Sequence, residues 1–381
     1  MGGSDVVIVG AGMVGAACAY YCSAAGLRVT VVDRGAPGAG TTAAGEGNIL
    51  LSDKVPGPEL ELAALSNRLW HELARDLNPE TVEYQRKGGV VVATSAEAAA
   101  GLVALTADQR ASGVDAVDVS PDELFELEPN LTRAVAGGAF YPQDSQVQPA
   151  LAAARLLRHA HATVMTGTEV TGFVRDRGGK ITGVRTSSGV LGAGWVVNAA
   201  GTWSGQVAEL AGASVPVLPR RGFVLVTEPL PRVVRHKVYT AEYLANVVSD
   251  DAGLQTSVVV EGTRAGTVLI GASRERAGFD RSVSLKVLRK LAAGAIGLFP
   301  FLAGVALLRS YLGFRPYCPD HLPVIGADPR APGLIHATGH EGAGIGLSTG
   351  TGQLIAQLIT GEPAALDLAP FRPGRFAEDN A

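Results

Sequence analysis

Residues 5–33 read DVVIVGAGMVGAACAYYCSAAGLRVTVVD. Val6, Val7, Ile8 and Val9 form a short β-branched run, which predicts a buried strand over 5–9. Gly10, Gly12 and Gly15 follow at G-x-G-x-x-G spacing. The first permits a tight turn, the second lets backbone approach a pyrophosphate, and the third lets the next helix pack closely on the strand. A helix is expected over 14–25, with Gly26 where a C-terminal stop belongs. A second strand over 29–32 ends in Asp33, the position of a ribose-binding carboxylate. Strand, glycine turn, helix, strand and acid in this order point to a dinucleotide site. Met13 and Val14, just after the turn, belong to its wall. The motif does not choose between FAD and NAD. Arg34 suits a ribose 2′-phosphate, but a surface arginine after a strand is the commoner explanation.

Two further glycine-rich turns extend the pattern. After Asp33 the chain reads GAPGAGTTAAGEGNIL over 35–50, with Thr41, Thr42, Glu46 and Asn48 as its polar groups. Such a loop beside a dinucleotide turn offers backbone N–H groups and hydroxyls to phosphate or ring atoms. This nominates Thr41, Thr42, Gly45, Gly47 and Asn48. Near the other end, a short strand over 334–338 runs into Gly339-His340-Glu341-Gly342-Ala343-Gly344 and then a helix from about 346 to 360, stopped by Gly361. A helix N-terminus carries unsatisfied N–H groups and partial positive charge. Pointed at a flavin ring, it stabilises the anionic reduced form. Between these units a strand over 190–198 runs into Ala199-Ala200-Gly201-Thr202-Trp203, where small residues allow close approach to a ligand.

Elsewhere, apolar spacing predicts helices over 58–77, 95–111, 121–127, 148–161 and 285–298. Asp176-Arg177-Gly178-Gly179 signals a hairpin between strands over 169–175 and 180–186. Strands are expected over 90–93, 223–226, 257–260, 267–270 and 305–311. Arg315 sits in an uncharged strand end, GFRP, and a buried arginine there needs an anion, either a structural carboxylate or a ligand.

At 381 residues with 47% hydrophobic and 18% charged side chains, the chain suits two domains or one large elaborated domain. A formal net charge of -4 offers no basic field for nucleic acid. Cys18 and Cys22 share one helix face as small hydrophobes, and Cys318 stands alone. No metal-ligand spacing and no disulfide framework emerge, so no metal and a reducing cytoplasm are expected. The N-terminus enters the first strand at once, so no signal peptide is expected. Residues 291–308 lack charge, but Pro300 and three glycines interrupt them, so a helix, loop and strand are expected rather than a membrane span.

Four landmarks occur in one order: the amino-terminal fingerprint, VVNAAGTWS over 196–204, GFRPYCPDHLPVIG over 313–326 and ATGHEGAGIGLSTGTGQLIAQLITG over 337–361. Together they resemble the FAD-dependent D-amino acid oxidase family, which includes glycine oxidase and sarcosine oxidase, over essentially the whole chain. GEGNILLSDK and GHEGAGIGL look most like the branch of D-hydroxyproline dehydrogenase, the opine oxidases and the hydrogen cyanide synthase flavoprotein. The resemblance implies an α/β fold, a Rossmann-like FAD-binding domain interleaved with a smaller α+β substrate domain built on an antiparallel sheet. Residues 1–86, 142–215 and 315–381 would form the first, and 87–141 and 216–314 the second.

It further implies that the backbone of Val170 meets the adenine, that Ala200, Gly201 and Trp203 line the cofactor, and that His340, Glu341, Gly342, Ala343, Gly344 and Ile345 turn over the flavin pyrimidine. Arg315 matches the arginine that holds the substrate carboxylate. Where relatives carry an arginine or aromatic after Gly-His, this chain has Glu341-Gly342-Ala343. The cysteine that links flavin in sarcosine oxidase has no counterpart, since that position falls near Gly313, which implies noncovalent FAD.

The implied reaction is oxidation of the C–N bond of a small amino or imino acid, of glycine, N-alkyl glycine, D-hydroxyproline or D-amino acid type. Hydride would pass to flavin N5 and leave an imine. Arg315 fixes the carboxylate, Tyr243 and Asn48 are candidates for orienting the amine, and His340 belongs to the turn over the ring. Oxygen or a partner protein would take the electrons, and both homo- and hetero-oligomers stay open. An amine-dehydrogenase subunit of a larger assembly is the alternative; a nicotinamide-dependent reductase is an alternative of another class.

Overall fold

The computed structural model describes residues 3–241, 244 and 251–380. The chain opens with β1 (Ser4–Val9), α1 (Met13–Ala24) and β2 (Val29–Val32), the unit that the glycine spacing predicts. Next come β3 (Asn48–Ile49), α2 (Pro58–Asp76), β4 (Gly89–Ala93), α3 (Ala96–Ala111), β5 (Val117–Val119), α4 (Pro121–Leu127), β6 (Gly137–Tyr141), β7 (Ser145–Gln146) and α5 (Pro149–His159). In α4 the Ser120 hydroxyl accepts from the Glu123 N–H while the Glu123 carboxylate accepts from the Ser120 N–H, a reciprocal cap that fixes the start of a short helix.

The middle holds β8 (Thr163–Met165), the hairpin β9 (Val170–Arg175) and β10 (Ile181–Thr186), β11 (Gly189–Asn198) and α6 (Ser204–Leu210). The remainder is β12 (Leu218–Thr227), β13 (Lys237–Thr240), β14 (Gln255–Gly262), β15 (Val268–Arg274), α7 (Leu285–Leu298), β16 (Leu307–Tyr317), β17 (Val324–Ala327), β18 (Leu334–Thr338) and α8 (Ser348–Thr360).

Two sheets organise these elements. The first runs β17-β18-β11-β1-β2-β8, with β10 and β9 continuing from β11. β1 pairs in parallel with β2 and β11, and β11 in parallel with β18. Val6, Val7 and Ile8 are fully buried, as a central parallel strand covered on both faces requires. α1 covers one face and crosses α8, where a Cβ on Gly352 would lie 2.7 Å from the Ala17 carbonyl carbon. The two strand–glycine–helix units, far apart in sequence, therefore pack side by side.

The second sheet runs β16-β12-β15-β14-β13-β4-β6-β5 and is antiparallel except for β4 and β13, which pair in parallel. Its outer face buries α7 through Val287, Leu291, Ala295 and Leu298 against Phe223, Leu225 and Ile270. The uncharged stretch over 291–308 thus divides into the end of α7, the turn Pro300–Gly304 and the start of β16. Among the described residues no helix is long and apolar enough to cross a membrane. One boundary differs in a way that matters for the site. β16 runs to Tyr317 rather than ending at 311, and it pairs Gly313 with Gly222 and Arg315 with Arg220. Arg315 is therefore held by a ladder, not by a loop.

Candidate active site

A cavity of about 420 Å3 opens where the two sheets face each other. At its far end lie the β1–α1 turn and the end of β2. Gly10 has φ +113°, and a Cβ there would collide with the Ala199 carbonyl oxygen, so the turn is closed to larger residues. A Cβ on Gly15 would collide with the Gly10 carbonyl oxygen, which is why α1 starts so close to β1. Asp33 accepts the Ala11 N–H at 2.8 Å and the Gly35 N–H at 2.7 Å, so its carboxylate is fixed at the cavity wall. Val170 and Glu169 flank it.

The loop over 35–50 closes the middle of the cavity. Thr42 Oγ1 accepts the Met13 N–H at 2.9 Å, tying the loop to the first turn of α1. Thr41 Oγ1 and Thr202 Oγ1 both donate to the Phe314 carbonyl, at 2.7 and 2.8 Å. The loop, the turn after β11 and the end of β16 are thereby stitched together one residue before Arg315. Trp203 lines the same region, stacked on Phe279 at 5.5 Å and covered by the Arg34 guanidinium at 4.5 Å.

At the near end Arg315 faces the turn over 339–345. Its Nη1 donates to the Ser273 carbonyl at 2.8 Å, and a Cβ on Gly342 would stand 3.5 Å from its Nε. A Cβ on Gly344 would stand 3.9 Å from Val14 Cγ2, so the carboxy-terminal turn lies close to the start of α1. Trp70 Nε1 donates to the Ile345 carbonyl at 3.0 Å and anchors the turn to α2. The His340 ring is buried and bonded to Thr351 Oγ1 at 2.9 Å; burial pushes its pKa down to about 3, so it is neutral at physiological pH. Glu341 contacts Arg220 Nη1 at 2.6 Å and His321 Nδ1 at 3.0 Å. Burial alone would raise its carboxyl, but the His321 hydrogen bond and the Arg274 and Arg220 guanidiniums outweigh that and hold it at about 2.

A dinucleotide turn, a second glycine turn and a guanidinium around one cavity coincide with a match of residues 5–358 to the DAO family model, FAD dependent oxidoreductase. The chain belongs to this family. It is 33% identical to glycine oxidase of Geobacillus kaustophilus across 96% of both chains. It is 31% identical to hydrogen cyanide synthase subunit HcnC of Pseudomonas aeruginosa, across 99% of this chain and 97% of that one. The crystal structure of the Geobacillus kaustophilus glycine oxidase matches with TM-score 0.88 at 30% identity over 98% of each chain. L-proline dehydrogenase from P. horikoshii matches with TM-score 0.90 at 23% identity over 99% of this chain and 98% of that one, a likeness of fold.

The residues present fit FAD. The turn has no room for a side chain at Gly10 and is tight at Gly12, where a Cβ would stand 3.2 Å from Thr42 Oγ1, and the Asp33 carboxylate lies fixed at the place for a ribose. The family match assigns FAD rather than a nicotinamide cofactor, and the Arg34 side chain covers Trp203 and lies 4.0 Å from Glu169. Gly10, Gly12, Met13, Val14, Asp33, Arg34, Thr41, Thr42, Gly45 and Asn48 all line the cavity, as do Val170, Ala200, Gly201, Trp203, His340, Glu341, Gly342, Gly344, Ile345 and Arg315.

Three nominated residues stand outside the lining. Gly15 serves helix packing. Gly47, at φ +91°, lets the loop run against Val147, whose carbonyl a Cβ would strike. Ala343 borders a separate cavity of about 40 Å3 beside Lys54, Glu59 and His321. Tyr243 lies outside the described residues. Cys318 is buried and is not among the lining residues. Arg220 and His321, the partners of Glu341, escaped the sequence reading because their pairing depends on the register of β12 and on a turn after β16.

Proposed function

We propose that the chain oxidises the C–N bond of a small amino or imino acid to an imine, with Arg315 holding the substrate carboxylate. The observation that carries this reading is the shared cavity of Arg315, the turn over 339–345 and the nucleotide turn. A guanidinium presents a rigid fork to a carboxylate. The Arg315 side chain is anchored at Ser273, and its strand is pinned through Phe314. The substrate is therefore held in one orientation, as a near-attack geometry requires. Glu341 is engaged by Arg220 and His321, which offsets its charge beside an incoming carboxylate. His340 is neutral and tied to Thr351, so it serves the turn's shape and does not move a proton at neutral pH. FAD, when bound, supplies the two-electron acceptor, in noncovalent attachment.

The same reading gives residues 1–86, 142–215 and 315–381 to the FAD-holding part and 87–141 and 216–314 to the substrate part. Arg315→Ala is expected to raise KM for carboxylated amines at least a hundredfold while flavin content stays that of the parent. An unchanged KM would remove Arg315 from the role. Acid precipitation is expected to release all yellow colour into solution; colour in the pellet would contradict noncovalent attachment. A second reading, favoured by the relative named as a subunit, keeps the chemistry and passes electrons to a partner protein. Stoichiometric peroxide from the isolated chain would exclude it.

A further inference from the structure

The geometry points to Glu46 as the group that faces the substrate nitrogen, a positioning carboxylate set opposite Arg315. This rests on the amine-oxidation reading above. Glu46 lies in the loop over 35–50 and lines the cavity. Its side chain is only 9% exposed. Asn48 Nδ2 donates to Glu46 Oε2 at 3.2 Å, and Lys237 Nζ stands 3.8 Å from the same oxygen. Among the described residues Glu46 Oε1 has no hydrogen-bond partner. A buried carboxylate oxygen at a cavity wall without a donor is an acceptor waiting for one.

The floor beneath it supports the same conclusion. A Cβ on Gly271 would collide with Glu46 Oε1, and a Cβ on Gly222 would collide with the Arg315 guanidinium. Both residues are glycine where a side chain would displace one charge or the other. Leu225 pairs with Ile270 in the β12–β15 ladder, so Gly271 lies level with Val224, two residues along the sheet and one strand over from Gly222. That separation is ~8 Å, from ~3.4 Å per residue along a strand and ~4.8 Å between strands. An α-amino acid with a contact of ~3 Å at each end spans it.

The chemistry calls for a carboxylate there. With FAD bound as the two-electron acceptor, a neutral amine would lose its α C–H electron pair as hydride, its nitrogen lone pair would close the C=N bond, and the nitrogen would become positive. Glu46 is a fixed negative group where that charge develops. Lys237 and Glu261 Oε2 are 3.5 Å apart and Lys87 and Glu261 Oε1 3.0 Å apart, so Glu46 begins an alternating chain of charges running into the sheet. That chain fixes its position. Asn48, read from the sequence as orienting the amine, acts through Glu46.

The test uses the FAD-loaded parent, Glu46→Gln and Glu46→Asp. Each is reduced anaerobically with whichever of glycine, N-methylglycine and D-hydroxyproline bleaches the parent fastest. Each is also titrated with acetate, which has the carboxylate and no nitrogen, following the flavin spectrum. Glu46→Gln is expected to slow flavin reduction at least thirtyfold and to bind acetate within twofold of the parent, with Glu46→Asp recovering part of the rate. Reduction within threefold of the parent, or loss of acetate or flavin binding by Glu46→Gln, would overturn the assignment. A parent that no amine bleaches would instead overturn the proposed function.

Discussion

Glu341 shows how one residue reshapes what the family pattern implies. In the turn over 339–345, where the family resemblance implies an arginine or aromatic, it is held negative by His321, Arg274 and Arg220. Its folded pKa of about 2 lies below the ordinary 4.5. The stabilisation is therefore fully present above about pH 4.5 and is lost as pH falls toward 2, on the order of 3 kcal/mol in all. Glu341→Gln is expected to lower the thermal midpoint at pH 7, with the gap to the parent narrowing as pH falls toward 3. A gap independent of pH would argue against this account. Arg220 sharpens the effect, since Glu341→Gln removes the carboxylate beside its buried guanidinium. None of this was legible at Glu341 itself, because its partners come from β12, β15 and the turn after β16.

At the scale of elements, the parts written locally were the legible ones. The β1–α1–β2 unit, the capped α4, the hairpin of β9 and β10 and the stop of α8 at Gly361, φ +77°, all follow from residues within a turn or two. Residues 237–240 and 324–327 gave too few residues for a period and went unread as β13 and β17. β12 began unread at Leu218 because Arg220 and Arg221, both buried, disguise a central strand.

The local packing yields two expectations. Gly15→Ala has no room beside the Gly10 carbonyl, so it is expected to cost on the order of 2–4 kcal/mol and to lower the flavin content of the purified protein. Full flavin occupancy with an unchanged melting point would contradict this. Replacing Thr41 and Thr202 by valine removes both donors to Phe314. At about 1 kcal/mol each, KM is expected to rise roughly tenfold or more with flavin retained. An unchanged KM would show that β16 holds Arg315 without the stitch.

The whole molecule is one cavity assembled from distant stretches. The two glycine turns were legible, each as a strand–turn–helix unit. Their meeting was not, since it depends on α1 crossing α8 and on a second sheet that brings Gly222, Gly271 and Arg315 to face the loop over 35–50. The family match fixes the cofactor class, and the proposed reading makes the donor a molecule with a carboxylate beside its nitrogen.

Anaerobic titration of the bound flavin with amino and imino acids, each paired with its decarboxylated amine, tests that claim most directly. The account expects complete bleaching by at least one carboxylated amine and none by its decarboxylated counterpart. Equal bleaching by both, or a flavin that stays yellow throughout, would contradict it.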